Sequence, residues 1–558
     1  VPAKQLKFDE QARMAILRGT AQVATAVRPT LGPRGRSVVI DRKYGSPQVT
    51  ADGATIVRDI ELPDHFENMG AQLLAEAARR ANDLAGDGTT TAALLAEAMV
   101  VEGMRNLAAG ASPIGLKRGI DKATGMALAE LDRLSRPLAG RDDVAHVATI
   151  SSGSAEIGEM IADAMERVTS DGVITVEESS GIETEVKVVD GMQFDRGYVS
   201  SYLVTDQKAM EAVLEDPLIL VTARKLSALA DIVPPMELAV QGGRPLLVIA
   251  EDVDGEALSV LVVNRLRGTI IACAVKAPGF GDRRTATLQD IAVLTGAEVI
   301  SEELGLTIEG LTLAQLGSAR RVVVTKDDTT IVEGKGSQER VSERVREIEQ
   351  QVEQTDSDWD REKLQERKAR LVGGVAVIRV GAPTETALKE RKERVEDALG
   401  ATRAAVEEGI LPGGGKSLLL AAAKISKLDG DVDEQTGAEI VRRALEVPVR
   451  QLAANAGLDG SVALEAVRAM GPTEGLDVQT LEYGDLVKAG IIDPTKVVKT
   501  SLQSAASVAG LLLTTQALVA DIPVSESALP MGGGGDGMGG MGGMGGMGGM
   551  GGMEDMDF

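Results

Sequence analysis

Asp87-Gly88-Thr89-Thr90-Thr91 brings one carboxylate and three hydroxyls together where two apolar helical patterns meet. Upstream, Phe66, Met69, Leu73, Leu74, Ala77, Ala78, Ala81 and Leu84 recur at helical spacing; downstream, Leu94, Leu95, Ala98, Met99 and Val101 do the same. Ala85-Gly86-Asp87-Gly88 therefore reads as a tight turn, with a helix starting near the threonines. A helix start leaves backbone N–H groups free and carries partial positive charge, so it can hold phosphate. The hydroxyls add donors, and Asp87 adds a hard oxygen ligand for a Mg²⁺ that bridges phosphate oxygens. The competing reading is an N-cap with no ligand.

Other stretches carry compatible chemistry. Thr30-Leu31-Gly32-Pro33-Arg34-Gly35-Arg36 is a glycine-bearing loop after a helix, able to turn backbone N–H groups toward phosphate. Asp52-Gly53 supplies a second acid. Asp397 lies in Arg394-Val395-Glu396-Asp397-Ala398, a run that by itself reads as the solvated face of a helix. Gly413-Gly414-Gly415-Lys416-Ser417 looks like the end of a Walker A loop. The glycine required five places before the last one falls on Ile410, however, and no apolar strand is expected to lead into the motif. A P-loop, and with it a P-loop kinase, is excluded.

The elements that position these residues fall into a nested order. Residues 1–135 read as mostly helical, with a helix over 8–27, a strand over 37–41, and turn and strand signals over 48–62. After Pro137 a helix is expected over 155–168 and strands over 172–178 and 183–189. From 191 to 373 the pattern is α/β, with strands at 218–221, 245–250 and 269–275 and helices at 255–267 and 287–294. A long amphipathic stretch at 338–371 breaks near Thr355-Asp356-Ser357-Asp358. Strand 375–380 and helix 385–408 follow, and the chain is helical again to about 520. Gly191 and Gly373-Gly374 lie where the chain enters and leaves the middle, and small residues there can absorb hinge rotation.

Composition narrows the function classes. A chain of 558 residues needs more than one core. The 84 acidic against 59 basic residues give a net charge of −25, which argues against nucleic acid or an anionic membrane as a partner. Aromatic residues are only 2%, so base stacking is no theme. No run of about 18 apolar residues is seen, so a membrane span is not expected. The N-terminus shows no apolar signal core, which points to the cytoplasm. Cys273 is the single cysteine and sits in an apolar run, so disulfides within the chain are impossible and cysteine metal sites unexpected; His65 and His146 are too few for a histidine site. From Met538 to Met553 the chain repeats Gly-Gly-Met five times, a composition that cannot offset its ordering entropy. The 34 residues from Ser525 onward would span about 30 Å as a flexible coil.

Taken together, the Thr30 loop, Asp52-Gly53, Asp87 to Thr91, Ala404-Ala405-Val406-Glu407-Glu408-Gly409 leading into Gly413-Gly414-Gly415, and the Gly-Gly-Met tail resemble the group I chaperonins, from about Lys4 to Pro523. Group II chaperonins carry a built-in lid and lack such a tail. The resemblance implies a multidomain α+β fold with a mostly helical equatorial ATP-binding domain (1–135 and 409–524). A small α/β intermediate hinge domain (136–190 and 374–408) and an inserted α/β apical client-binding domain (191–373) complete it, with a disordered tail (525–558). It also implies ATP hydrolysis with Mg²⁺ and K⁺, seven-membered rings stacked in pairs back to back, a separate lid co-chaperonin and non-native protein clients.

Site residues follow from the same resemblance. Thr30, Leu31, Gly32, Pro33, Asp87, Gly88, Thr89, Thr90 and Thr91 match the phosphate cradle, with Asp87 on the metal. Gly414 and Asp493 match the nucleoside side, Asp493 at the ribose, with Ile150 and Ile491 near the base. Asp477-Val478-Gln479 replaces the family's usual Asn-Ala-Ala on the base side, which sets Asp477 and Val478 against the nucleotide. Asp397 matches the acid that orients the attacking water and Asp52 the second acid near the γ-phosphate. Since Asp397 belongs to the linking segment, it is expected to complete the site when domains close. Lys416 stands where a small or apolar residue is usual, and Ala51 where a lysine is common. The apolar client rim matches Tyr198, Tyr202, Leu203, Val233, Met236, Leu258, Val262 and Val263; the last three fall at i, i+4 and i+5 of one helix, a stripe that would otherwise read as core. The rival class is a passive holdase or structural ring without ATP turnover, which the retained Asp52, Asp87 and Asp397 oppose.

Overall fold

The computed structural model describes residues 3–522, apart from 43–46, 169–172, 180, 208, 302–304, 356 and 426–429. The Gly-Gly-Met tail lies outside the described residues. The fold is multidomain and mixed α+β, mostly helical, and its buried apolar residues gather into three main clusters. The first draws on residues 12–131 and 411–520. Helix His65–Ala85 buries Phe66, Leu74, Ala77, Ala78 and Ala81 on one face, and Asp64 caps its start by accepting from the N–H groups of Phe66 and Glu67. Helix Thr89–Ala108 follows after a three-residue turn, and helix Thr495–Thr514 packs against both. That last helix is long and apolar enough to cross a membrane by composition, contrary to expectation, but 72% of its apolar window is buried in the protein, as a central core helix requires.

The second cluster lies within residues 192–371, around a sheet of eight strands. Leu218–Thr222 pairs in parallel with Leu246–Ala250, which pairs in parallel with Ala272–Lys276. The first two strands are buried along their whole length, with helices Leu229–Gly242 and Gly281–Thr295 packed against them. Cys273 is fully buried here, and burial pushes its thiol up to about 12, so it packs as a small hydrophobe. The third cluster joins residues 148–174 to 376–399. Its centre is strand Val375–Val380, parallel to Val173–Glu178 on one side and antiparallel to Glu185–Val189 on the other.

Several elements depart from the expected pattern. Phe8 ends strand Lys4–Phe8, which pairs with Ala517–Asp521, so the first helix starts at Asp9. Residues 48–62 hold the strand Gln48–Thr50 and then a helix, Gly53–Asp59. Helix Leu229–Gly242 forms although Pro234 and Pro235 lie inside it, a pair that masks it in the sequence. Gly191 belongs to a buried strand, and a Cβ there would stand 2.5 Å from the Ile331 carbonyl oxygen. The long amphipathic stretch, by contrast, divides where expected, into Gln338–Gln354 and Asp358–Val372.

Candidate functional site

Three chain segments meet at the start of helix Thr89–Ala108. This helix has no side-chain cap, so the backbone N–H groups of its first turn have no protein side chain to satisfy them. The Thr90 hydroxyl is 3.2 Å from that of Thr30, which ends the short helix Arg28–Thr30. Helix Gly53–Asp59 begins against the same spot, since a Cβ on Gly53 would lie 2.7 Å from Thr90 Oγ1. The Thr30 loop is braced from behind by Asn455, whose Nδ2 donates to the carbonyls of Arg28 (3.0 Å) and Leu31 (2.9 Å). Leu31, Gly32 and Pro33 thus border the cleft on a fixed loop.

Four carboxylates from distant parts of the chain converge on this point. Asp52 caps its own helix, accepting from Ala54 N–H (3.0 Å) and Thr55 N–H (2.6 Å). Asp87 accepts from the Gly88 N–H (2.5 Å) and from the Ser151 hydroxyl (2.7 Å) of helix Arg141–Ser152. Asp397 is delivered by helix Glu385–Glu408, which lays Glu393, Asp397 and Gly400 (i, i+4 and i+7) along the cleft. Glu393 accepts from the Gln48 side chain (3.2 Å) and the Thr50 hydroxyl (3.4 Å). At the other end Gly400 meets Gly86 so closely that a Cβ on Gly86 would stand 2.6 Å from Gly400 Cα. Only two glycines permit that approach, and it sets Asp397 beside Asp87 and Asp52. Asp397 lies near enough to both for their charges to act on it.

Asp493 comes from strand Ile492–Pro494, which pairs with Ile410–Pro412 so that Leu411 faces Asp493. An apolar strand therefore does lead into the glycine run, against expectation, and it pairs with the strand that carries Asp493. Gly413 N–H donates to the Ile491 carbonyl (3.0 Å), and a Cβ on Gly413 would lie 3.1 Å from Asp493 Oδ1.

Asp87, Asp397 and Asp493 keep some accessible surface, as groups lining a cleft must, yet each lies deep enough to resist ionisation. Burial raises the Asp87 carboxyl, Ser151 and Gly88 pull it back, and the charge of Asp52 lifts it again. Asp397 is pushed well above the ordinary carboxylate range, first by burial and then by Asp52, Asp87, Glu396 and Glu393. Burial and the charge of Asp87 bring Asp493 to about 7. Each charged neighbour acting on these three groups is itself an acid. A bare phosphate would be repelled, whereas a phosphate carried with a hard divalent cation would relieve the clash. Among the described residues no three acidic, histidine or cysteine side chains form a complete metal cage. The donor set suits Mg²⁺ that takes part of its shell from phosphate and water.

A model of the TCP-1/cpn60 chaperonin family matches residues 23–523, which include every segment of this cleft. The chain belongs to the TCP-1/cpn60 chaperonin family. Members of the family are ATPases that bind ATP with Mg²⁺, form oligomeric rings and fold client proteins.

Among the residues expected on the nucleoside side, Ile150 is exposed and adjoins Ser151. Gly414 and Gly415 take left-handed backbone conformations (φ 61° and 75°) that turn the chain from strand into helix Lys416–Lys424. The side chains expected on the base side make contacts of their own within the protein. The Asp477 carboxylate is occupied by its own turn, accepting from Gln479 N–H (2.8 Å) and the Thr480 hydroxyl (2.8 Å). Val478 is buried in a small core with Leu419, Val449, Val467 and Leu476. Asp477 itself stays half-buried. Lys416 is also buried, and its Nζ donates to the carbonyls of Val467 (2.8 Å) and Met470 (3.2 Å). A P-loop lysine would have to point at phosphate.

The apolar rim divides as well. Tyr202 and Val263 are exposed at 66% and 43%, and Tyr198, Val233, Leu258 and Val262 are half-buried. Leu203 and Met236 are buried, so they support the surface and cannot form it. Leu229, Val240 and Leu266 were not anticipated, yet they are exposed on the same two helices, Leu229–Gly242 and Gly255–Leu266, which pack together. Amphipathic spacing marks the faces of these helices but cannot say which face is outermost.

Proposed function

We propose that this chaperonin is of the group I type, an ATP-driven folding chamber of two seven-membered rings stacked back to back, closed by a separate lid co-chaperonin. The observation that carries the ATPase reading is the convergence of Asp52, Asp87 and Asp397 on an uncapped helix start. Thr30 to Pro33 and Gly88 to Thr91 would cradle the phosphates with backbone N–H and hydroxyl donors. Mg²⁺ held at Asp87 would supply charge neutralisation, with K⁺ as a second cation. Asp397, with its raised proton affinity, would orient the attacking water and take its proton, and Asp52 would hold the nearby charge while fixing the Gly53 helix. Gly414, Ile150, Ile491 and Asp493 would face the nucleoside.

The Gly-Gly-Met tail favours group I over group II, and residues 1–135 with 409–524, 136–190 with 374–408, and 191–373 are assigned to equatorial, intermediate and apical domains. Client capture is assigned to Tyr202, Val263 and the exposed apolar residues around them, because unfolded chains need a sequence-indifferent apolar surface. Self-assembly is supported by a second apolar set: Leu6, Phe8, Val39, Val49 and Val519 are exposed on small two-stranded sheets whose edges can pair with another chain. A cytoplasmic setting belongs to the same reading.

Phosphate release measured with and without K⁺, together with negative-stain imaging with and without ATP, tests the whole. Sevenfold double rings and K⁺-stimulated turnover are expected; a ring with no turnover would leave the passive holdase. Tyr202→Glu and Val263→Ser are each expected to weaken suppression of aggregation, and unchanged suppression would remove the rim assignment.

A further inference from the structure

The glycine loop on the nucleoside side is anchored by a lysine that touches no carboxylate among the described residues. Lys416 is only 1% exposed, and both bonds of its ammonium go to backbone carbonyls, those of Val467 and Met470. These carbonyls end helix Gly460–Arg468 and the turn after it. A helix C-terminus leaves carbonyls unsatisfied and carries partial negative charge, so a cation is well held there. Burial lowers the lysine's proton affinity, and the charge of Glu474 partly restores it. Such a buried ammonium persists only where its donors are used. Past Met470 the chain runs into strand Glu474–Asp477, whose Leu476 carbonyl would lie 3.8 Å from a Cβ on Gly414. Val467, Leu476 and Val478 share one small core with Leu419 of the helix that Lys416 begins.

We propose that Lys416 is a positioning residue for nucleotide binding: it clamps the loop 413–415 to the end of helix Gly460–Arg468, and so fixes the spacing between that loop and residues 470–478. The inference rests on the assignment of Gly414 and Asp493 to the nucleoside side of an ATP site. Lys416 touches no reacting atom. Its effect is on the shape of the wall, hence on affinity rather than on the chemical step.

The experiment compares the full-length assembled protein with Lys416→Met, which keeps length without charge, and Lys416→Gln, which keeps a donor. Steady-state ATP turnover, Mg-ADP affinity by calorimetry and amide hydrogen exchange are measured on each. In Lys416→Met, KM for ATP and Kd for Mg-ADP should rise about five- to tenfold while kcat stays within about twofold. Exchange should quicken at 413–415 and 470–478 but not at 89–91, and Lys416→Gln should recover part of the loss. Unchanged KM and exchange, or a fall confined to kcat, overturns the proposal. If Lys416→Met does not fold, Lys416→Gln decides; if neither folds, Lys416 is a core residue and the proposal falls. Wild-type protein that neither binds Mg-ADP nor turns over ATP would refute the nucleotide assignment itself, before any variant is compared, and this proposal with it.

Discussion

On one side of the cleft, helix Thr89–Ala108 starts without a cap, and Asp87 and Asp397 are held above their ordinary proton affinity by burial and by neighbouring acids. On the other, Asp477 is occupied by its own turn and the Lys416 ammonium by helix carbonyls. The wall proposed for phosphate is left electrostatically incomplete, whereas the wall proposed for the nucleoside is satisfied by the protein itself. Buried polar groups are normally satisfied, so the side that is not satisfied is the side built around a ligand. Recognition and chemistry are thereby separated: one wall gives shape, the other waits for charge.

Substitutions can break or sharpen that contrast. The largest effect is expected from Asp87→Asn, which removes the negative charge beside Thr89 and should weaken Mg-ATP binding about 100-fold, read by calorimetry. Asp397→Ala should leave nucleotide binding within about twofold and slow phosphate release at least about tenfold. Normal turnover in that variant would take Asp397 out of the mechanism. Asp493→Asn tests the border between the walls through pH. With the folded carboxyl at about 7, the native chain binds more protons than the unfolded chain between the ordinary aspartate range and pH 7, so this group makes stability fall as pH rises. The asparagine should therefore raise the melting temperature of nucleotide-free protein at pH 8 by roughly 2–4 °C, and change it little at pH 4. Asp477→Ala should have the smallest effect: affinity within about twofold and a stability loss of about 1 kcal/mol from its turn, measured by urea titration. Should Asp477→Ala weaken binding as much as Asp87→Asn, the two walls do not differ in kind.

The helical framework was legible in the chain because leucine and alanine spacing reports the buried face directly, as with His65–Ala85 and Glu385–Glu408. The turn before Thr89 was equally plain, since Gly86 and Gly88 interrupt two strong periodicities. What escaped depends on partners far along the chain. The carbonyls that hold Lys416 lie 51 and 54 residues away, and nothing local announces them. Leu203 and Met236 are apolar residues of the right kind, but residue type does not tell a core position from a rim position. Asp52 is legible as an acid before a glycine, yet its work as the cap of Gly53–Asp59 appears only once that helix is seen. Asp397, a solvated acid by its neighbours in sequence, is drawn into the site by the glycine contact three residues on.

Gly86 and Gly400 leave no room for a methyl group between their backbones. The pair acts as a gauge block of zero thickness, setting the gap between the linking helix and the helical core by contact alone. A single carbon at position 400 would be a shim. On the proposed mechanism, Gly400→Ala should displace Asp397 and lower turnover, with a drop in melting temperature from the backbone clash. If Asp397 acts as proposed, its placing is kept in a contact with no side chain at all.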